Sequence, residues 1–244
     1  MGHGWSAILA HDFAREHGGR FLLRIEDIDG TRSRTEHVAA IERDLAWLGL
    51  RWDGPVVFQS ARLDRYRAAL DRLRAMGLLY PCFCTRAEIA REIAASASAP
   101  HGPDGALYPG TCRRIAPEER ARRLALEPHC WRLDMAAAVA RVRAMPGMEG
   151  NAMDAGGALT WEDAEAGTVR ADPMAHGDVV LARKDAPASY HLAVTVDDAA
   201  QGVSHVIRGR DLFEATHVHR LLQALLDLPT PLYRHHALLT DATG

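Results

Sequence analysis

Three sulfurs and a phenol force two separate stretches of this chain to meet. They are Cys82-Phe83-Cys84 and, further on, Tyr108-Pro-Gly-Thr-Cys112. Cys-x-Cys can set two thiolates beside one ion, and the Pro-Gly turn can bring an oxygen and a third sulfur back to the same point. Soft sulfur donors with one harder ligand, in a closed set, suit a tetrahedral structural Zn²⁺ with no redox chemistry of its own. Three ordinary half-buried cysteines are the plain alternative, and the added Tyr-x-x-x-Cys favours the metal. Tyrosine is an uncommon zinc ligand, so His101 is kept as a reserve fourth donor. Cys130, in His-Cys-Trp-Arg, reads as a small buried hydrophobe. A metal-type thiol set fits a reducing compartment better than a disulfide framework does.

The chain has 244 residues, long enough for one large domain or two small ones around a proper core. Its 48% hydrophobic and 25% charged residues describe an ordinary globular protein. No stretch reaches the roughly 20 apolar residues of a membrane span, and no basic-then-apolar leader opens the chain. We expect a cytoplasmic monomer with no membrane partner. A net charge of -3 argues against an all-round positive coat, although a local basic face is enough to collect phosphates. Arg113, Arg114, Arg120, Arg122 and Arg123 form such a cluster, but Glu118 and Glu119 lie among them, which reads more readily as a solvated helix face. Lys184 is the sole lysine.

Periodicity organises the rest. Trp5, Ile8, Leu9 and Phe13 have helical spacing over residues 4–17, and Gly18-Gly19 ends the run. Residues 20–25 then read as an apolar strand closing on Glu26-Asp27-Ile28-Asp29. A helix followed by a strand with charge at its carboxyl end is the parallel α/β pattern, in which ligands gather at strand ends. Residues 35–48 and 60–76 read as amphipathic helices, the second with Leu63, Tyr66, Leu70 and Leu73 on one face. Thr85-Arg-Ala-Glu88 is a capping box that starts a helix just after Cys84. Residues 95–110 and 146–157 read as loops, 116–126 as a helix and 131–135 as a strand. Strands are expected at 179–182, 190–196 and 203–208, then a helix over 213–226.

Gly2-His3-Gly4 stands at the start of the first helix, where glycine admits a phosphate, the helix end favours anions and histidine donates to phosphoryl oxygens. With Arg24-Ile-Glu-Asp-Ile-Asp29, the run from Tyr190 to Asp198, and Val206-Ile-Arg-Gly-Arg-Asp-Leu212, it resembles the glutamyl branch of class I aminoacyl-tRNA synthetases. Gly2-His3 is similar to the second half of that class's HIGH signature. The runs Tyr80–Ile89 and Tyr108–Cys112 resemble the zinc module of the short paralogue family without an anticodon-binding domain.

The resemblance implies a class I Rossmann-type parallel sheet interrupted by a zinc-bearing insertion. Residues 1–79 would be the first half of the catalytic domain, 80–175 the insertion and 176–244 the second half, ending just before the KMSKS-type loop. Residues 20–26 and 203–208 would share one sheet. It also implies an ATP-dependent ligase that activates L-glutamate to glutamyl-adenylate, with Mg²⁺ accompanying ATP. The glutamyl group would pass to queuosine at the wobble position of aspartate tRNA. Gly2 and His3 would serve the adenylation step, Glu26 would hold the amino group of glutamate, and Tyr190 and Arg208 its carboxylates. Cys82, Cys84, Tyr108 and Cys112 would hold one structural zinc. The strand before the signature and the lysine of the KMSKS-type loop fall outside the 244 residues, and Lys184 lies in an unrelated strand. That leaves open part of a longer short-paralogue enzyme, a truncated ordinary glutamyl-tRNA synthetase, or a non-catalytic relative that binds tRNA or amino acid.

Overall fold

Helix α1 (Gly2–Glu16) ends where Gly18 takes a left-handed φ of 63° and the Gly19 amide donates back to the Ala14 carbonyl. Strand β1 (Arg24–Ile25), helix α2 (Thr35–Trp47) and strand β2 (Val57–Phe58) follow as a βαβ unit, with Arg24 opposite Val57 and Ile25 opposite Phe58 in parallel register. The computed structural model describes residues 2–28, 35–95, 101–103, 105–145 and 153–239, apart from the side chains of Thr35, Ala95 and His101. The Asp29 assigned to the acidic group lies outside these residues, as do most of the loop expected at 146–157 and the chain after residue 239.

Helix α3 (Leu63–Ala75) buries Tyr66, Ala69 and Leu73 on the expected face and stops at Gly77, whose φ is 73°. Strand β3 (Leu79–Cys82) leads into helix α4 (Arg86–Ala95), and its capping box forms as read. The Thr85 amide donates to Glu88 Oε2 at 2.7 Å, and the Glu88 amide donates to Thr85 Oγ1 at 3.2 Å. A hairpin of β4 (His101–Gly102) and β5 (Gly105–Ala106) precedes helix α5 (Pro117–Leu126), strand β6 (Cys130–Leu133) and helix α6 (Met135–Arg143). Strands β7 (Thr160–Asp163), β8 (Gly167–Arg170) and β9 (Val180–Ala182) complete the middle. Helix α7 (Tyr190–Gln201), strand β10 (His205–Gly209), helix α8 (Ala215–Leu225) and strand β11 (Leu232–His236) close the fold.

Strands β10, β11 and β7 are parallel neighbours, with β8 antiparallel at the edge, while β3, β6 and β9 make an antiparallel sheet. Three expectations are corrected here. Residues 190–196 form a helix, because α7 is buried on more than one side (Leu192, Ala193, Val194, Thr195, Asp197) and tertiary packing overrides the β-branched pattern. Gly202, at φ 65°, caps that helix. The sheets are mixed rather than wholly parallel. Residues 20–26 do not share a sheet with 203–208: β1 pairs only with β2 among the described residues, and helix α1 lies against β10 instead. Phe13 meets His205 with ring centroids 5.0 Å apart, and Ser6 Oγ lies 2.9 Å from His236 Nε2. Strands β7 and β8, from within the stretch read as an insertion, extend the sheet of β10 and β11.

The core gathers Tyr66, Leu73, Leu133, Trp161, Leu181, Leu192, Leu221 and Leu222 around α8, whose residues from Thr216 to Leu225 are all buried. One polar knot ties α3 to α7. Asp197 is fully buried and accepts from Arg62 Nε at 2.6 Å, Tyr66 Oη at 2.6 Å and Gln59 Nε2 at 3.1 Å. Asp197→Ala leaves a half-buried cation and two polar groups without their acceptor. It should cost about 3–5 kcal/mol in urea unfolding; a loss under about 1 kcal/mol, the size of a surface pair, would show the knot to be dispensable.

Candidate functional site

The carboxyl end of β10 presents Arg208, and the N-terminus of α7 presents Tyr190. Arg208 is 8% exposed, and its Nη1 donates to Tyr190 Oη at 3.3 Å. Its other contacts are His235 Nε2 at 3.0 Å from Nε, Thr216 Oγ1 at 2.6 Å from Nη2, and His219 Nδ1 at 3.4 Å from Nη1. Burial, followed by the nearby Arg208 charge, holds the His219 pKa well below its ordinary value, so that ring is neutral. Burial also lowers His235, against the pull of Asp163. No carboxylate among the described residues lies within ion-pair distance of Arg208. A buried guanidinium with only neutral partners is a seat for an anion, since the fork of arginine matches a carboxylate.

Glu26 follows β1 and is exposed. Enclosing protein raises its pKa, with Arg24 opposing, and the charges of Asp198 and Arg208 also reach it. Tyr190 is likewise raised by burial and feels both Arg208 and Glu26. Beside them Arg24 Nη1 donates to Asp198 Oδ1 at 2.8 Å and to Gln201 Oε1 at 2.9 Å. Acid, phenol and guanidinium thus come within electrostatic range of one another. His3, Gly4, Arg24 and Glu26 share a cleft of about 890 Å³ between α1, β1 and α2. That size is in the range of small-ligand sites, roughly 300–1,000 Å³. Gly2 and His3 sit exposed in the first turn of α1, where free amides favour anions.

The thiol set assembles as spaced. The sulfurs of Cys82, Cys84 and Cys112 all lie within 4.8 Å of one another, and those of Cys84 and Cys112 are 3.4 Å apart. Tyr108 Oη is 3.4 Å from Cys82 Sγ and 3.7 Å from Cys84 Sγ, and it accepts from the Cys112 amide at 2.9 Å. A tetrahedral ion with Zn–S bonds of about 2.3 Å needs donors about 3.8 Å apart, so these four fit one. The side chain of His101 lies outside the described residues. The Phe83 amide donates to Cys112 Sγ at 3.4 Å, and Lys184 Nζ donates to the carbonyls of Phe83 and Cys84 at 2.8 and 3.4 Å. Arg132 lies 3.9 Å over the Tyr108 ring. Cys130 is buried as expected and lies opposite Cys82 in the β3–β6 ladder. The neighbouring Cys130 thiol is the main cause that lowers Cys82 to about 4, with burial opposing, while burial pushes Cys84 up to about 12.

Sequence reading missed several neighbours. Thr216 and His219 lie in a stretch read as plain helix and His235 in the lead-in to the KMSKS-type loop, and only the fold turns them toward Arg208. Asp197 and Asp198 are adjacent, yet about 100° apart around a helix: one is spent on the α3 knot and the other holds Arg24. The five-arginine cluster is mostly engaged locally. Arg122 pairs with Glu119, Arg123 with Glu127, Arg113 with Asp134 and Asp178, and Arg120 donates to backbone carbonyls.

An α/β domain with an anion seat at one strand end and a cleft at a helix N-terminus is the frame of an amino-acid-activating catalytic domain. The description of class I tRNA synthetase catalytic domains for E and Q matches residues 1–244, so the chain belongs to that family and is a ligase of the aminoacyl-tRNA synthetase type. A relative from Rhodobacter capsulatus named glutamyl-Q tRNA(Asp) synthetase is 50% identical, over 100% of this chain and 84% of its own. One of the same name from Symbiobacterium thermophilum is 44% identical, over 100% of this chain and 72% of its own. The crystal structure of a glutamate-tRNA synthetase from Elizabethkingia anophelis shares the fold. Its TM-score is 0.78 at 24% identity, and it covers all of this chain, which spans 48% of that one. Among the described residues, no helix is long and apolar enough to cross a membrane.

Proposed function

We propose that this chain activates L-glutamate with ATP and transfers the glutamyl group to queuosine at the wobble position of aspartate tRNA. The observation that carries the first half is Arg208, a buried cation whose described partners are all neutral and which faces Tyr190 beside Glu26. A ligand with an ammonium and two carboxylates matches that charge pattern. Glu26 takes the ammonium, while Arg208 and Tyr190 take carboxylate oxygens. With the side-chain carboxylate on Arg208, glutamine would put a neutral amide there and leave the buried cation unpaired, which is costly. ATP would lie along the cleft at the start of α1, with Gly2 allowing close approach and His3 donating to the phosphates. Mg²⁺ bound with ATP would supply charge neutralisation at the phosphoryl group. The glutamate carboxylate attacks the α-phosphate and pyrophosphate leaves. No enzyme nucleophile is required.

The donor set of Cys82, Cys84, Tyr108 and Cys112 supports one structural zinc that takes no part in the chemistry, since protein fills all four positions. The shared name of the relatives supports queuosine as the acceptor. The test uses full-length enzyme, labelled glutamate and aspartate tRNA with or without queuosine. Label should enter only the queuosine-bearing tRNA, and should be released by removing that base. ATP–pyrophosphate exchange with glutamate should proceed without tRNA. Label at the 3′ end of glutamate tRNA, independent of queuosine, would instead assign an ordinary glutamyl-tRNA synthetase.

A further inference from the structure

We propose that Asp163 and His235 are positioning residues for the amino-acid site: they fix the Arg208 guanidinium while leaving its charge uncancelled toward the cleft. This inference rests on the reading of Arg208 as the carboxylate holder. Arg208 Nε carries a hydrogen it cannot lose, so His235 Nε2, 3.0 Å away, must accept. The ring proton therefore sits on Nδ1, which donates to Asp163 Oδ2 at 2.7 Å. The other Asp163 oxygen accepts from the amides of Glu165 and Ala166, both at 2.9 Å, so the β7–β8 turn locks the carboxylate. Both side chains of the pair are 1% exposed. Rings enclose His235: Phe213 at 5.0 Å, Trp161 at 5.7 Å, and Tyr233 at 5.9 Å and nearly parallel to it at 11°.

The spacing explains why an imidazole stands between the two charges. Asp163 in direct contact with Arg208 would neutralise the guanidinium, and an uncharged amide ligand would then be accepted almost as well as a carboxylate. With the neutral ring between them, orientation passes along the chain of hydrogen bonds while the cation keeps its demand for an anion. Thr216 and His219 complete the shell without adding a negative charge. His235 and Asp163 thus act through Arg208 on the choice between glutamate and glutamine.

The experiment is ATP–pyrophosphate exchange by the full-length protein with tRNA present, using glutamate and glutamine in turn, with thermal unfolding to check the fold. Losing a hydrogen bond to a charged group is worth about 1.5–3 kcal/mol, so His235→Leu should raise KM for glutamate about 10- to 150-fold. The preference for glutamate over glutamine should fall, and KM for ATP should stay within about twofold. His235→Gln, whose amide offers a donor to Asp163 and an acceptor to Arg208, should recover most of the affinity. A folded His235→Leu with unchanged glutamate KM, or with a lower kcat and unchanged selectivity, overturns the proposal. Should that variant fail to fold, Asp163→Asn decides. The asparagine amide can donate to Nδ1 and so admit the Nε2–H tautomer, which turns a donor on Arg208; an unchanged glutamate KM there overturns the proposal. A wild-type enzyme without glutamate-dependent exchange would instead overturn the underlying reading of Arg208, and this proposal with it.

Discussion

Arg208→Ala should lower kcat/KM for glutamate activation by about two to four orders of magnitude, because removing one side of a buried charge pair costs roughly 3–5 kcal/mol. The ligand carboxylate would enter a site whose remaining neighbours are Tyr190, Thr216, His219 and His235, none of them cationic. The fold should survive, since no described carboxylate depends on Arg208 for its charge. The losses are the hydrogen bonds accepted by His235, Thr216, Tyr190 and His219. Steady-state exchange against glutamate concentration, paired with thermal unfolding, separates the two effects. Activation at ordinary glutamate levels by the variant would remove Arg208 from the site. Arg208→Lys keeps a charge but loses the planar fork and its Nε bond to His235, so it should fall between wild type and alanine.

The other large effect belongs to the thiol set. Protein prepared without chelator should carry about one zinc per chain, and Cys84→Ser should lose it. Apparent binding energies of structural zinc in small peptides are about 10–16 kcal/mol, so this change should disturb local structure more than any single packing loss. The disturbance should begin where the donors tie segments together: the Tyr108–Arg114 turn, the α4 start after Cys84, and the Lys184 contacts to Phe83 and Cys84. Glutamate binding, built on other strands, should weaken later in a chelator titration than the metal signal. Cys130→Ala is the control. It removes the thiol opposite Cys82 in the β3–β6 ladder without removing a ligand, so the zinc should remain. Metal content below a tenth of one equivalent in folded wild type would reject the site.

Much of this was legible in the residues themselves. Local chemistry sufficed where one short stretch carries the whole device: the Thr85–Glu88 capping box, the glycine stops at Gly18 and Gly77, the apolar face of α3, and the convergence of Cys82, Cys84, Tyr108 and Cys112. The family was legible from Arg24–Glu26 and Val206–Leu212, and the match over residues 1–244 bears it out. Long-range packing was not legible. Tyr190–Val196 has the alternation of a strand, yet burial on several sides makes it helix α7, because burial from more than one direction erases the period that would have marked a helix.

The sequence by itself determined most of the local elements and the meeting of Cys82, Cys84, Tyr108 and Cys112. Each depends on residue type and short spacing. Tertiary structure alone decided which polar groups surround them. Helix α8 carries His217, His219, Arg220 and Gln223, a pattern compatible with a half-solvated face, yet all four are buried. Folding brings His219 to Arg208, and it brings Asp163, from 72 residues earlier in the chain, to His235. It also separates the neighbours Asp197 and Asp198 into a knot and an ion pair. Helix rotation and strand order set these pairings, and neither is written in any single window of sequence.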